Sequence, residues 1–383
     1  MKEKIKNNVY ILPYIWLFTG VLTYKNGNKA LVAFTLVTLI FALLNKNTIN
    51  VIKKNISEPF VLSLLIITTY AVIAKLTFDY NSNELRALIC GIIITLITEQ
   101  KKITQNIISL LLLLGTISTS FYVFYFSIHL DMARNLLPIN AIPYSVICSA
   151  LLISNILHIN RNKYGKFLSF LLIILNASCL IVLETRGVWL ATILAVVFII
   201  PFFLKDTTIP KKKLSIIFII FSLSFLSLSY SDINSRYKQT INELTTISNG
   251  NENTSIGLRL QMWKLTPSLI SNNYFFGLGE NQKIKFKHLC KEGIASPALC
   301  NFNPNQYHNQ YIDNIIKGGI FGSLVFLIFQ FSILFNHRKE RNYKILCYSM
   351  LIIYTISSLT ESVFIHAQTM LLFIIIIYGF KKI

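Results

Sequence analysis

The sequence predicts an all-α integral membrane protein of about 12 transmembrane helices, with one large polar loop between helices 9 and 10. Hydrophobic residues make up 54% of the 383 positions and recur in runs of about membrane-spanning length. Lipid offers no partner for backbone N–H and C=O groups, so such runs must be helical. The long polar stretch, residues 231–318, follows the ninth run. We expect one polytopic domain over residues 1–383, with this stretch as an insertion.

Apolar runs of about 20 residues, the length that crosses the hydrocarbon core, predict the spans. In chain order they are residues 9–24, 29–45, 59–76, 85–98, 103–128, 137–157, 166–183, 188–204, 213–230, 319–335, 345–360 and 362–380. The fourth and eleventh are short, so the count has a margin of one or two. The first run lacks a small-residue cleavage site, and we expect it to be a span rather than a signal peptide.

Lysine and arginine follow a sided pattern along these spans. With residue 1 placed inside, 21 of the 36 fall in inner loops or termini, and only six fall in the short outer loops. Positively charged short loops stay in the cytoplasm during insertion. We therefore expect a bacterial inner-membrane protein with cytoplasmic termini and a periplasmic 231–318 loop. The net charge of +20 then reflects topology and does not indicate nucleic-acid binding.

Two of the six cysteines, Cys290 and Cys300, lie in the polar loop, whereas the others lie within or beside spans. An oxidising periplasm favours a disulfide between them. A ring of that size stabilises the fold by roughly 2–3 kcal/mol. Two free thiols are the alternative in a reducing compartment. A zinc site with His288 lacks a fourth ligand at useful spacing, and we expect no metal.

The outer junction of spans seven and eight contains Glu184, Thr185, Arg186 and Gly187. An arginine at a helix end commonly extends to the membrane interface without any further role. The neighbouring glycine, however, allows a ligand to approach the backbone closely. A guanidinium there could hold a phosphate through two parallel N–H bonds. Both interpretations remain open from the residues alone.

A second stretch, residues 254–269, predicts a helix that begins at Thr254 or Ser255. Arg259 and Trp263 are four residues apart and share one face of it. The apolar stripe of this helix consists of Leu258, Met262, Leu265 and Leu269. The helix either lies on the bilayer with Arg259 among lipid headgroups, or presents Arg259 to an anionic substrate.

His308 lies where the polar loop returns to the membrane. Gly318, Gly319 and Gly322 follow it and allow close helix packing. An imidazole ordinarily titrates near ~6.5 and can accept a proton at periplasmic pH. Asp313, five positions on, could orient the imidazole if the next helix starts late. The alternative is a histidine with a purely structural role.

These residues together resemble the O-antigen ligase and polymerase superfamily. The motifs that carry the resemblance are Gly257-x-Arg259-x-x-x-Trp263, Asn273-x-x-Phe276-Gly277-x-Gly279, and His308-Asn309 with Gly319-x-x-Gly322. The nine residues between Asn309 and Gly319, with Arg186-x-x-x-Leu190 upstream, are similar to the ligase branch in particular. The resemblance covers about residues 184–322. Glu280 after Gly279 departs from the family pattern, and the loop is rather short.

The resemblance implies a metal-independent, cofactor-free glycosyltransferase with a periplasmic active site. Its donor would be O-antigen on undecaprenyl diphosphate, and its acceptor an outer-core sugar of lipid A–core, as in lipopolysaccharide biosynthesis. Arg186 and Arg259 would bind the diphosphate, with Arg134 as a further candidate and Trp263 beside the lipid. His308 would be the general base, and in-line attack would invert the anomeric configuration.

Three other functions remain open at this point. An O-antigen polymerase uses the same donor, and a protein O-oligosaccharyltransferase uses a serine hydroxyl as acceptor. A membrane carrier or flippase is a function of a different class. Carriers need ionisable groups within the membrane, whereas the predicted span centres contain almost none. This distribution favours chemistry at the outer rim over translocation.

Overall fold

The computed structural model describes residues 9–206, 230–335 and 340–383, and these residues form helices and connections without a strand. The predicted all-α class is therefore confirmed for the described part of the chain. The ninth predicted span, 213–230, lies outside the described residues except for its last position.

Eighteen α-helices are described. In chain order they are α1 Leu12–Leu17, α2 Gly20–Thr23, α3 Gly27–Leu43, α4 Thr48–Ile56, α5 Pro59–Phe78, α6 Ser82–Ile97, α7 Gln105–Val123, α8 Ala141–His158, α9 Lys166–Val182, α10 Arg186–Asp206, α11 Tyr230–Ser248, α12 Ser255–Lys264, α13 Thr266–Ile270, α14 Gln282–Lys291, α15 Pro297–Phe302, α16 Gln310–Phe331, α17 Arg341–Ser358 and α18 Ala367–Gly379.

Within the described residues, four segments are long and apolar enough to cross a membrane: Pro59–Thr77, Gln105–His129, Ala141–His158 and Gln310–Phe335. The pair α3 and α4, bent by 116°, makes a fifth if it counts as one span. Helices also occupy the other predicted segments in the described part of the chain, but several are shorter than a bilayer requires. The count of twelve stays a prediction.

The bundle is organised around α18, which is buried along its whole length. It packs against α6, α8 and α1. Its 13 residues are fewer than the roughly 20 that span a bilayer. Because neighbouring helices surround it, its short length exposes no backbone to lipid.

The polar loop has a hydrophobic core of its own, separate from that of the bundle. Met262, Leu265 and Leu269 are buried in it, and Leu258 packs against it. The apolar stripe of residues 254–269 therefore faces the interior of the loop. The interpretation of this segment as an amphipathic helix lying on the bilayer is wrong, because the stripe is already covered by protein.

Backbone hydrogen bonds join this loop to α16 at a kink. Gly319 has a φ of +63°, so the helix breaks there and frees the amides that follow. The Ile320 amide donates to the Tyr274 carbonyl at 2.8 Å, and the Phe321 amide to the Phe275 carbonyl at 3.0 Å. A Cβ on Gly319 would lie 2.4 Å from the Phe275 oxygen, so only glycine permits this approach.

Connections that the charge pattern places on the inner side meet at one end of the bundle. Lys382 Nζ donates to the Lys101 carbonyl at 3.1 Å. Arg161 Nη1 donates to the Ile383 carbonyl at 2.6 Å and lies 3.8 Å from Glu340. The grouping agrees with the predicted sidedness, and the compartment that each end faces remains a prediction.

Candidate functional site

At the other end of the bundle, four arginines and one histidine converge from separate parts of the chain. Arg134 begins a single 3-10 turn after α7, Arg186 begins α10, Arg236 lies on α11 and Arg259 lies on α12. His308 lies in the connection between α15 and α16. Three of the arginines and the histidine are residues that the sequence predicts for the site. Arg236 is an addition.

His308 is held by a buried carboxylate. Its Nδ1 lies 2.9 Å from Oε2 of Glu361, whose side chain is fully buried in the turn between α17 and α18. The side chain of His308 is 19% exposed, and its backbone has a φ of +49°. Glu361 Oε1 accepts from the Gln306 amide and from the Ser362 backbone amide. The carboxylate therefore has a hydrogen-bond donor on each oxygen.

The protonation of this pair follows from its surroundings. Burial raises the pKa of Glu361, but the hydrogen bond from His308 and the nearby charges of His308, His366 and Arg259 outweigh it and hold that pKa below its usual range. An ionised carboxylate only accepts hydrogen bonds, so the proton of a neutral imidazole is on Nδ1. His308 Nε2 then carries the lone pair and is free to accept a proton from a substrate.

The predicted partnership of His308 with Asp313 is wrong. Asp313 pairs with Lys317 at 2.8 Å and accepts a hydrogen bond from the Tyr307 amide at 3.2 Å. The reason is that α16 starts early, because Asn309 Oδ1 caps it by accepting hydrogen bonds from the backbone amides of Tyr311 and Ile312. Asp313 therefore lies one turn from Lys317, on a face that His308 does not share.

Glu184 and Glu243 partly neutralise the arginine cluster. Arg236 forms an ion pair with Glu184, with Nε 2.8 Å from Oε2. Arg186 Nη2 lies 3.5 Å from Glu243 Oε1. Arg134 Nη1 donates to the main-chain carbonyl of Glu184 at 3.2 Å. The three guanidinium groups are thereby arranged around the turn that precedes α10.

Arg259 makes no hydrogen bond or ion pair with any of the residues that the structure describes. Its pKa is lowered, mainly because the side chain is buried and Arg186 lies nearby, although the carboxylates of Glu361 and Glu243 oppose this effect. Burial together with the neighbouring Arg236 lowers the pKa of Arg134 to about 10, an effect that Glu184 opposes. Four guanidinium groups thus share one region with fewer carboxylates. An anion bound among them would relieve their mutual repulsion.

The indole of Trp263 supports the histidine loop. Its Nε1 donates to the Tyr307 carbonyl at 2.9 Å, immediately before His308. Its ring packs against the loop core. Thr254 caps the same helix by accepting from the Gly257 amide at 3.0 Å, as predicted. The Arg259 and His308 segments are therefore held together through one side chain.

Glu361, Glu243 and Arg236 were not predicted from the sequence, and Glu184 was not given a role there. A signal for Glu361 was present, since it is the single acid in the polar turn Ser357–Ser362 between two apolar runs. No comparable signal marks Arg236 on the polar helix α11. Their partners are about 50 residues away, beyond the reach of local spacing.

Cys290 and Cys300 form a disulfide between α14 and α15, with their Cα atoms 5.8 Å apart. Both sulfur atoms are in this bond, so neither is available as a zinc ligand. His288 Nδ1 lies 3.1 Å from Glu292 on the loop surface. The other four cysteines are buried in the bundle.

Residues 168–327 match a family model described as O-antigen ligase. The resemblance to the O-antigen ligase superfamily is thereby confirmed over this region. An O-antigen ligase of Escherichia coli K12 is 26% identical over 179 residues, which are 45% of this chain and 42% of that protein. An uncharacterized protein of Haemophilus influenzae is 26% identical over 189 residues, 48% of this chain and 46% of that protein.

The chain thus spans less than half the length of the curated relatives it matches. The matched region contains Arg186, Arg236, Arg259 and His308, whereas Arg134 and Glu361 lie outside it. The site therefore combines residues inside the matched region with one residue before it, Arg134, and one after it, Glu361.

Proposed function

We propose that this chain, with its O-antigen ligase region at residues 168–327, transfers O-antigen glycan from undecaprenyl diphosphate to a sugar hydroxyl of lipid A–core. The observation that carries the proposal is the buried Glu361–His308 pair beside a cluster of four arginines. It combines a base with a free nitrogen and a binding region for a doubly charged leaving group.

In the proposed reaction, the arginine cluster binds the diphosphate of the donor. Arg134 and Arg259 have no carboxylate partner among the described residues, so they are available to the phosphate oxygens directly. Arg186 and Arg236 would exchange the carboxylates of Glu243 and Glu184 for phosphate oxygens. Guanidinium groups suit this role because they offer paired N–H donors in one plane.

His308 Nε2 would accept the proton of the acceptor hydroxyl as its oxygen attacks the anomeric carbon. The new glycosidic C–O bond forms while the bond from the anomeric carbon to the diphosphate oxygen breaks. Undecaprenyl diphosphate leaves with the bonding electron pair, and the proton stays on His308 until solvent removes it. Attack opposite the leaving group inverts the anomeric configuration. Glu361 is a positioning residue that keeps Nδ1 protonated and the ring fixed.

The donor bond is already activated, so the proposed reaction needs neither ATP nor a metal ion. The site would face the periplasm of a bacterial inner membrane, with both termini cytoplasmic and residues 231–318 forming a periplasmic insertion in a single polytopic domain. The charge pattern and the grouping of the connections at two ends of the bundle support this orientation.

The test is glycan transfer by the purified protein in detergent, with lipid-linked O-antigen as donor, lipid A–core as acceptor, and chelator present. We expect glycosylated lipid A–core as the product, and loss of the product in His308→Ala. Supplying the lipid-linked repeat unit as the only acceptor distinguishes a polymerase, which would lengthen that unit. Elongation of this acceptor together with unmodified lipid A–core would contradict the ligase assignment.

A chelator that alone stops the wild-type reaction would contradict the metal-free mechanism. Normal turnover by His308→Ala would contradict its role as the base. Arg186→Ala and Arg259→Ala should weaken donor binding as well as transfer, because these side chains contact charge already present in the ground state.

A further inference from the structure

A polar cavity of about 530 Å³ lies beside His308, and none of the four arginines is among its lining residues. Its volume falls within the range of about 300–1,000 Å³ that is typical of ligand sites. His308 and His366 line one wall, and the segment 302–306 lines another. The cavity borders His308 directly, whereas the arginine cluster approaches it through Arg259, which lies close enough to Glu361 to influence that carboxylate.

The segment 302–306 offers unused amide groups and an aromatic ring. Asn303 and Asn305 are exposed, and their side chains make no hydrogen bond within residues 9–206, 230–335 and 340–383. Asn303 has a φ of +45°, which holds it in a left-handed turn. The ring of Phe302 is 47% exposed and lies 6.3 Å from the His308 ring, centre to centre. A carboxamide both donates and accepts, as vicinal sugar hydroxyls require.

The charged groups in the cavity wall are balanced. Lys317 pairs with Asp313 at 2.8 Å, and Lys283 pairs with Glu280 at 2.7 Å. The arginine cluster, in contrast, has more cations than carboxylates. A diphosphate therefore binds most favourably among the arginines, and an uncharged, hydroxyl-rich ligand binds most favourably in the cavity.

We propose that this cavity binds the terminal sugars of the acceptor oligosaccharide. The inference rests on the proposed function, because an in-line attack requires the acceptor on the side of the anomeric carbon opposite the diphosphate. With the diphosphate among the arginines, the cavity offers the acceptor a place beside His308 that does not overlap the arginine cluster. Asn303 and Asn305 bind its hydroxyl groups, and Phe302 packs on the face of a sugar ring.

The experiment uses the full-length double variant Asn303→Gly with Asn305→Ala. Glycine retains the left-handed backbone at position 303 and removes the amide. We expect the acceptor KM to rise about tenfold, the effect of losing two neutral hydrogen bonds, with the donor KM within a factor of two of wild type. Asn253→Ala is the matched control, since Asn253 is an exposed asparagine of the same loop outside this cavity. It should behave as wild type.

Binding is also measured without any donor, using free core oligosaccharide from the host and saturation-transfer NMR. Wild type should bind it and the double variant should bind at least fivefold more weakly. A raised donor KM with an unchanged acceptor KM would place the donor glycan in the cavity and overturn the proposal. Unchanged binding in the variant, or none in wild type, would also overturn it. Absence of transfer in wild type would reject the proposed function alone, because the binding comparison still decides the cavity.

Discussion

Glu361 and His308 form a pair in which each residue determines the state of the other. The carboxylate is fully buried, a position that ordinarily favours its neutral form, yet the hydrogen bond from His308 and the nearby charges of His308, His366 and Arg259 keep its pKa low. In return it fixes the tautomer and the plane of the ring. In the proposed reaction, this one buried acid converts an ordinary histidine into a positioned proton acceptor.

We predict that Glu361→Gln lowers kcat by about 10–10²-fold while the KM for donor and acceptor changes little, because glutamine retains a hydrogen bond and loses the charge. Glu361→Ala should lower kcat further. The measurement is steady-state transfer in detergent. Glu292→Gln is the matched control, since Glu292 pairs with His288 on the surface of the same loop.

An equal loss of activity in Glu361→Gln and Glu361→Ala, with a lower melting temperature in both, would assign Glu361 to stability only. A changed kcat in Glu292→Gln would show that the assay responds to any His–Glu pair in the loop.

Arg236 is predicted to contact the donor diphosphate in addition to Glu184. Arg236→Ala should raise the donor KM about tenfold, and Arg236→Lys should recover part of that loss, because an ammonium lacks the paired donors. Lys238→Ala removes the same charge from an exposed position of the same helix and should have little effect.

A second variant separates this role from mere neutralisation of Glu184. If Arg236 only neutralises that carboxylate, Glu184→Gln with Arg236→Gln should bind the donor as wild type does. Persistently weak donor binding in the double variant supports direct contact with phosphate.

At the scale of helices, backbone hydrogen bonds at the junction between α16 and residues 274–278 fix the position of the polar loop relative to α16. The Leu278 amide donates to the Ile316 carbonyl at 2.9 Å, and two amides after Gly319 donate in the opposite direction. Gly277, with a φ of +70°, lies against the Gly319 backbone. Backbone contacts of this kind tolerate changes in side chains elsewhere but not a Cβ at the junction.

Gly319→Ala should therefore destabilise the protein by about 2–4 kcal/mol, through both the positive φ and the contact with Phe275. Thermal unfolding in detergent measures the loss. Gly293→Ala is the control, because Gly293 has a φ of +71° with no atom close to an added Cβ. Its effect should be only about 1 kcal/mol. Equal losses in the two variants would mean that the close approach contributes nothing.

The Cys290–Cys300 disulfide is predicted to stabilise the loop without taking part in the reaction. A double change to serine should reduce stability by roughly 2–3 kcal/mol and lower the amount of folded protein, with turnover per folded molecule retained. Non-reducing mass spectrometry should find the two peptides joined in wild type. Recovery of both as free thiols from cells, or a variant with normal stability, would refute this prediction.

The sequence predicted some features of the site correctly and others wrongly. The sequence predicted the cap at Thr254 correctly, because a cap depends on neighbouring residues. It also pointed to Arg134, Arg186, Arg259 and His308, whose roles in the site remain predictions. It failed where a cap changed the register, since Asn309 starts α16 early and turns Asp313 away from His308. It left open what covers the apolar stripe of residues 254–269, because periodicity shows that a stripe is apolar but not what lies against it.

For the whole molecule, the charge pattern carried the most information. It divides the connections between helices into an inner and an outer group, and the described connections of each group lie together at one end of the bundle. The pairings within each group were not predictable, because partners such as His308 and Glu361 are 53 residues apart. A single sequence gives no measure of such long-range contacts.

Sidedness is predicted to place Asn249 in the periplasm and Lys163 in the cytoplasm. Single-cysteine reporters, Asn249→Cys and Lys163→Cys, should react with a membrane-impermeant maleimide on intact cells only at position 249. Background labelling by the maleimide should be low because the four cysteines outside the disulfide are buried. Labelling at position 163 in place of 249 would invert the topology and remove the basis for a periplasmic reaction.

The distribution of the site along the chain has a consequence for biogenesis. Arg134 is synthesised early, whereas Glu361, in the turn between α17 and α18, is synthesised near the end of the chain. A nascent chain in which the earlier helices are already inserted holds the arginines but lacks Glu361. If the proposed reaction is correct, competence for transfer would be acquired only when the α17–α18 hairpin is in place, which would delay any glycosyl transfer until the surrounding bundle is assembled.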